Sequence, residues 1–85
     1  MDFSKMLKQA QEMQKQMMEA KDGLKNIYAD GISGGGAVRV QMNGEFEVTK
    51  IDISDEILNE EKNVIEDLII AATNNAKKSV EVKTQ

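Results

Sequence analysis

The sequence predicts a small α+β domain: a long N-terminal helix, a three-stranded antiparallel β-meander and a second helix. Three observations carry that expectation. From Phe3 to Ile27 apolar residues recur at alternating steps of three and four, a helical period. Between Val38 and Ile53 the period becomes two around an Asn43-Gly44 pair, the pattern of a hairpin. From Ile65 to Val80 the helical period returns.

The first helix carries Phe3, Met6, Ala10, Met13, Met17, Ala20, Leu24 and Ile27 as an a/d heptad seam. Asp2 or Ser4 is placed to cap its start, no proline interrupts it, and Gly23 weakens its last turn. Fully helical, the stretch is roughly 37 Å long at ~1.5 Å per residue, too long for one small core to cover. Packing against the chain's own sheet and second helix accounts for about half of the stripe, and a partner chain for the rest. Methionine and alanine make this seam thin and adaptable, unlike a strong autonomous zipper.

Tyr28 to Ile32 reads as a first strand, separated from the hairpin by Ser33-Gly34-Gly35-Gly36. Val38, Val40 and Met42 then alternate with Arg39 and Gln41, and Phe46, Val48, Ile51 and Ile53 follow the Asn43-Gly44 pair. A two-residue type I′ turn would put Val38 and Val40 on one face with Thr49, Ile51 and Ile53, leaving Phe46 and Val48 beside Arg39. Either the sheet is apolar on both faces, which again asks for a partner, or a bulge near Val48 to Lys50 shifts the register.

Ser54 is a natural cap for a short turn through Asp55 to Leu58. The chain restarts as a helix at Asn59, with Glu60 and Glu61 suited to a helix N-terminus. Ile65, Leu68, Ile69, Ala72, Ala76 and Val80 form its apolar stripe, and Lys77 and Lys78 fall in its final turns. The elements make one domain over residues 1–85 with no internal repeat.

Composition bounds the function. Eighty-five residues with 40% hydrophobic content build one core of marginal stability, because a chain this short buries only ~60–65% of its unfolded surface. Neither cysteine nor histidine is present, which excludes disulfides and the common zinc sites and removes the usual catalytic nucleophiles and bases. An enzyme, a cofactor and a small-molecule substrate are therefore not expected. No apolar run reaches the ~18 residues of a membrane span, and the N-terminus lacks a basic leader with an apolar core. A cytoplasmic location with no membrane partner is the expectation.

Two motifs are set aside. Gly31-Ile-Ser-Gly-Gly-Gly36 evokes a phosphate loop, but the Walker pattern needs a terminal Gly-Lys-Ser/Thr entering a helix, and here Ala37-Val-Arg-Val40 enters a strand. A strand connection is the simpler reading. Asp55, Glu56, Glu60, Glu61, Glu66 and Asp67 lack calcium-loop spacing and read as a solvated face that would repel nucleic acid from one side.

The formal net charge is −4, but it is unevenly spread: residues 44–67 carry nine acids and two lysines, whereas residues 68–85 carry three lysines and one glutamate. With Phe3 at position a, Lys8 and Lys15 fall at f and Lys5 at c, on an outer strip away from the seam. From the pattern alone, ordinary solvation is the better reading of these lysines and of the Lys77-Lys78 pair than phosphate binding. One Arg, one Tyr, two Phe and no Trp leave little for base reading or stacking. If the lysines bind nucleic acid, they bind phosphate.

Taken together, four segments resemble the YbaB/EbfC family of bacterial nucleoid-associated DNA-binding proteins. They are the Gln- and Met-rich run from Met6 to Met17, the stretch from Gly31 to Val40 with Met42-Asn-Gly44 and Ile51-Asp-Ile53, then Glu66-Asp-Leu68, and Ala71-Ala-Thr-Asn-Asn-Ala-Lys-Lys78. The resemblance implies an intertwined or tweezer-like α+β homodimer that binds double-stranded DNA without catalysis. It carries the family's basic helix positions onto Lys8, Lys15, Lys77 and Lys78; Lys5, on the outer strip of the first helix with Lys8 and Lys15, joins them as a candidate DNA contact. Ser79 departs from the pattern where many relatives have another basic residue, as does lysine in place of arginine at the pair. The competing expectation is a protein-interaction module whose Met-rich helix docks a partner protein.

Overall fold

The computed structural model describes residues 2–85. Helix α1 (Phe3–Lys25) leads into strands β1 (Tyr28–Ser33), β2 (Val38–Asn43) and β3 (Val48–Ile53), and helix α2 (Lys62–Lys83) closes the chain. One-turn 3₁₀ segments at Gly34–Gly36 and Asp55–Ile57 fill the β1–β2 and β3–α2 connections. The sheet is antiparallel in the order β1-β2-β3, as the meander predicts.

The core lies between the sheet and α2. Val38, Val40 and Met42 of β2 face Ala72, Ala76 and Val80 of α2, and Ala29, Ile57, Leu68 and Ile69 pack around them. Small residues on α2 let its backbone come close, and Gly31 on β1 completes the fit. A Cβ at Gly31 would stand 2.1 Å from both Ala72 O and Ala76 N, distances no real side chain tolerates. Ser33 Oγ also donates to Leu68 O at 2.6 Å, and Asn75 Nδ2 to Ile32 O at 2.9 Å. These bonds fix the helix lengthwise on β1.

The hairpin departs from the two-residue turn. Asn43 N donates to Glu47 O at 2.9 Å and Phe46 N to Asn43 O at 3.0 Å, so the loop holds three residues, and Phe46 takes the left-handed position with φ 64°. Asn43 makes this work, because its Oδ1 accepts from Glu45 N and Glu47 N while its Nδ2 donates to the Glu47 carboxylate. The register is set by a bulge. Gln41 pairs with Lys50 and Met42 with Val48, leaving Thr49 over. Val48, Ile51 and Ile53 thereby join Val38, Val40 and Met42 on the α2 side. Of the two possibilities for the sheet, the bulge is the one realised. The outer face carries Asp30, Arg39, Gln41, Lys50 and Asp52 around a shallow depression of about 150 Å³.

The Asn43 hydrogen bond holds the Glu47 carboxyl below its ordinary range, with desolvation opposing it and the nearby Lys25 and Glu45 assisting. A carboxylate whose folded pKa is depressed stabilises the fold above its unfolded pKa and loses that contribution as pH falls through the folded value. Glu47→Gln should therefore melt below the parent chain at neutral pH, with the gap closing on acidification. Thermal melts across the carboxylate range check this, and a gap independent of pH would contradict it.

Two further expectations are corrected. Helix α2 begins at Lys62, not Asn59, with Glu61 at its N-cap making no side-chain cap bond, because residues 55–58 close a separate turn capped by Ser54 Oγ. The seam of α1 is not half covered by its own chain, since no residue of α1 is buried. The cause is the connection: only Asn26 and Ile27 separate α1 from β1, and Gly44 N donates to Leu24 O at 2.9 Å. A Cβ on Gly44 would lie 2.5 Å from that oxygen. The helix is thus tethered at the hairpin end and projects from it, giving the molecule a 69 Å long axis.

Candidate nucleic-acid interface

Helix α1 starts cleanly because Asp2 accepts from Ser4 N at 3.2 Å, and it stays helical through its Gln, Lys, Glu, Met and Leu residues, all good helix formers. Lys5, Lys8 and Lys15 are all exposed on it. Lys5 and Lys8 are one turn apart, and Lys15 follows about 10 Å further along the axis. The seam on the opposite side is equally open: Phe3 is 73% exposed and Met17 68%.

Lys77 and Lys78 are exposed on α2, and their direction follows from Ala76. That residue is fully buried against Gly31, so at 100° per residue Lys78 points almost directly away from the core and Lys77 to one side. The two groups do not meet within one chain. Lys8 lies about 24 Å of helix before the Leu24 tether, whereas the α2 pair sits on the body.

Six of the fifteen acids occupy the other pole, while Glu12, Glu19 and Asp22 stand on α1 and Glu45 and Glu47 at the hairpin. Asp55, Glu56, Glu60, Glu61, Glu66 and Asp67 cluster around the second 3₁₀ turn and the start of α2, at the end of the sheet away from the hairpin where α1 leaves. Two lysines to which the sequence reading gave no role also stand at the α1 exit. Lys83 Nζ donates to Tyr28 O, and Lys25 lies near enough to Glu47 to bear on its charge. Both occupy the last turn of their helix, and that shared position is the signal that could have found them. Among the described residues no three Asp or Glu side chains converge on a metal site, and no helix is long and apolar enough to cross a membrane.

A two-layer αβββα unit with a long helix held only at its base, bare of core contacts and lined with lysine, defines a binding domain that acts through its surface. The chain belongs to the YbaB/EbfC DNA-binding family, whose model matches residues 1–85. It is 46% identical over 80 residues to a nucleoid-associated protein of Francisella philomiragia, covering 94% of this chain and 72% of that one. A nucleoid-associated protein of Francisella tularensis is 45% identical over 80 residues, covering 94% and 71%. Among solved structures, an uncharacterized protein from Helicobacter pylori superposes with a TM-score of 0.78 at 31% identity, over 99% of this chain and 89% of that one.

Proposed function

We propose that this chain is a nucleoid-associated protein that binds duplex DNA as a homodimer, mainly through phosphates, in the nucleoid of the bacterial cytoplasm. The observation that carries the reading is the exposed lysine strip of Lys5, Lys8 and Lys15 on a projecting helix, away from the six acids around the start of α2. A two-fold axis doubles that strip and the Lys77-Lys78 pair, so that two modest groups become a site able to release several counterions despite the net −4 charge. The only arginine, Arg39, lies on the sheet's outer face, so base reading has no guanidinium on the projecting helix. The role is one of binding, not catalysis.

The uncovered Met-rich seam favours a second reading, a protein-docking helix. Two measurements separate the readings. Light scattering at micromolar concentration should report about twice the 9.5 kDa chain mass, with a melting temperature that rises with concentration; a compact monomer contradicts the homodimer. In a mobility-shift assay, unrelated duplexes of equal length should shift at the same protein concentration, because phosphate contacts position without reading sequence. No shift, or one confined to a single sequence, contradicts phosphate binding.

A further inference from the structure

The hairpin end makes separate demands on Asn43 and on Gly44. Asn43 is 5% exposed, its Oδ1 accepts from Glu45 N and Glu47 N, and its Nδ2 donates to Glu47 Oε1 at 3.0 Å. A carboxamide supplies the double acceptor and the donor at once. Gly44 has no room for a Cβ, which would lie 2.5 Å from Leu24 O. The base of α1 is therefore built on an asparagine followed by a backbone nitrogen that no side chain screens. Asn26, Asn59, Asn63, Asn74 and Asn75 are followed instead by Ile27, Glu60, Val64, Asn75 and Ala76, each of which shields its own nitrogen.

We infer that Asn43-Gly44 is a deamidation site, held in check by the bonds of the hairpin end and released when that end comes off α1. In the reaction the Gly44 nitrogen gives up its proton and attacks Asn43 Cγ; the Cγ–Nδ2 bond breaks and ammonia leaves with that proton. The five-membered succinimide then adds water at either carbonyl, giving aspartate or isoaspartate. In the folded chain Gly44 N donates to Leu24 O at 2.9 Å, which keeps the nitrogen protonated, and the three bonds to the Asn43 amide keep Cγ from turning onto it. Local opening of the hairpin end frees both groups together. The product does not restore that end. Aspartate offers Glu47 no donor and sets two carboxylates where Nδ2 and Oε1 stood 3.0 Å apart, and isoaspartate lengthens the backbone within the turn. Either product loosens the base of the lysine-bearing helix, so the reaction limits the lifetime of the DNA-binding form. That last step alone rests on the proposed function.

Intact-mass and peptide mass spectrometry test this on the parent chain, held warm at mildly alkaline pH, folded and in urea, until the first asparagine has converted. Asn43 should convert first in both, and roughly tenfold or more slowly in the folded chain. Glu47→Ala leaves Asn43 Nδ2 without its acceptor, so it should speed the reaction severalfold in the folded chain and not at all in urea, with circular dichroism as the control for folding. Another asparagine converting first would overturn the site. Equal rates folded and unfolded, or a folded Glu47→Ala chain no faster than the parent, would overturn its gating. Asn43→Asp, the product itself, should melt several degrees below the parent and bind duplex DNA roughly threefold to tenfold more weakly. Parental melting and affinity in that variant would overturn the consequence, whereas a parent chain that binds no duplex removes the DNA reading and leaves the modification site standing.

Discussion

Replacing Gly31 by valine is expected to leave the chain unfolded at room temperature. The first added carbon falls 2.1 Å from Ala72 O and Ala76 N and 2.7 Å from Ala76 Cα. These are backbone atoms of a continuous helix, so none of them can yield alone. Accommodation means lifting α2 off β1, which opens the contact of Ala72, Ala76 and Val80 with Val38, Val40 and Met42, the fully assembled core. Overpacking costs about 1–3 kcal/mol, or more where backbone must shift, and a domain of this size holds only a few kcal/mol in reserve. Far-UV circular dichroism and a thermal melt check this. A cooperative melt near that of the parent chain would show that α2 does not sit against Gly31.

The second large effect concerns DNA. Changing Lys8, Lys15, Lys77 and Lys78 together to glutamine is expected to weaken duplex binding by about a thousandfold or more in dilute salt. Each substitution appears twice in a homodimer, so about eight candidate phosphate contacts are lost, a number whose counterion release is worth several decades of affinity. All four side chains are exposed, so folding should survive, and an unchanged circular dichroism spectrum and dimer mass are the controls. Neutralising Lys8 and Lys15 alone should flatten the log-affinity against log-salt slope by roughly two to four units. Unchanged affinity in the folded quadruple variant would make these lysines an ordinary solvated surface and favour the protein-docking reading.

Element identity was legible because it lives in periodicity: the heptad spacing from Phe3 to Leu24, the alternation from Val38 and the stripe from Ile65 survive in α1, β2 and α2, while Ile27, the last seam position, falls past the helix end at Lys25. The bulge was legible as one of two ways to reconcile Val48 with Val40. What covers a stripe was not, since the spacing of Met6, Met13 and Met17 is the same whether the seam packs on its own sheet or projects from it. The two-residue link and the Gly44 tether decide that, and both are tertiary facts. The three-residue loop escaped because Asn-Gly favours a tight I′ turn locally, while the Asn43 side chain bonds to Glu45 and Glu47 stabilise the longer one. For the candidate site, the helix faces of Lys8 and Lys15 followed from position alone. The distance between the α1 strip and the α2 pair, and the place of Lys25 and Lys83 at the α1 exit, required the arrangement of both helices about the sheet.

The account depends most on binding through phosphate, and salt addresses that directly. Fluorescence anisotropy of a labelled duplex, titrated with the parent chain from about 50 to 200 mM monovalent salt, should give a log-affinity against log-salt slope of roughly −4 to −7, the value for four to eight phosphate contacts at about 0.9 per contact. An affinity that is flat across that range, or no binding at its low end, would contradict it.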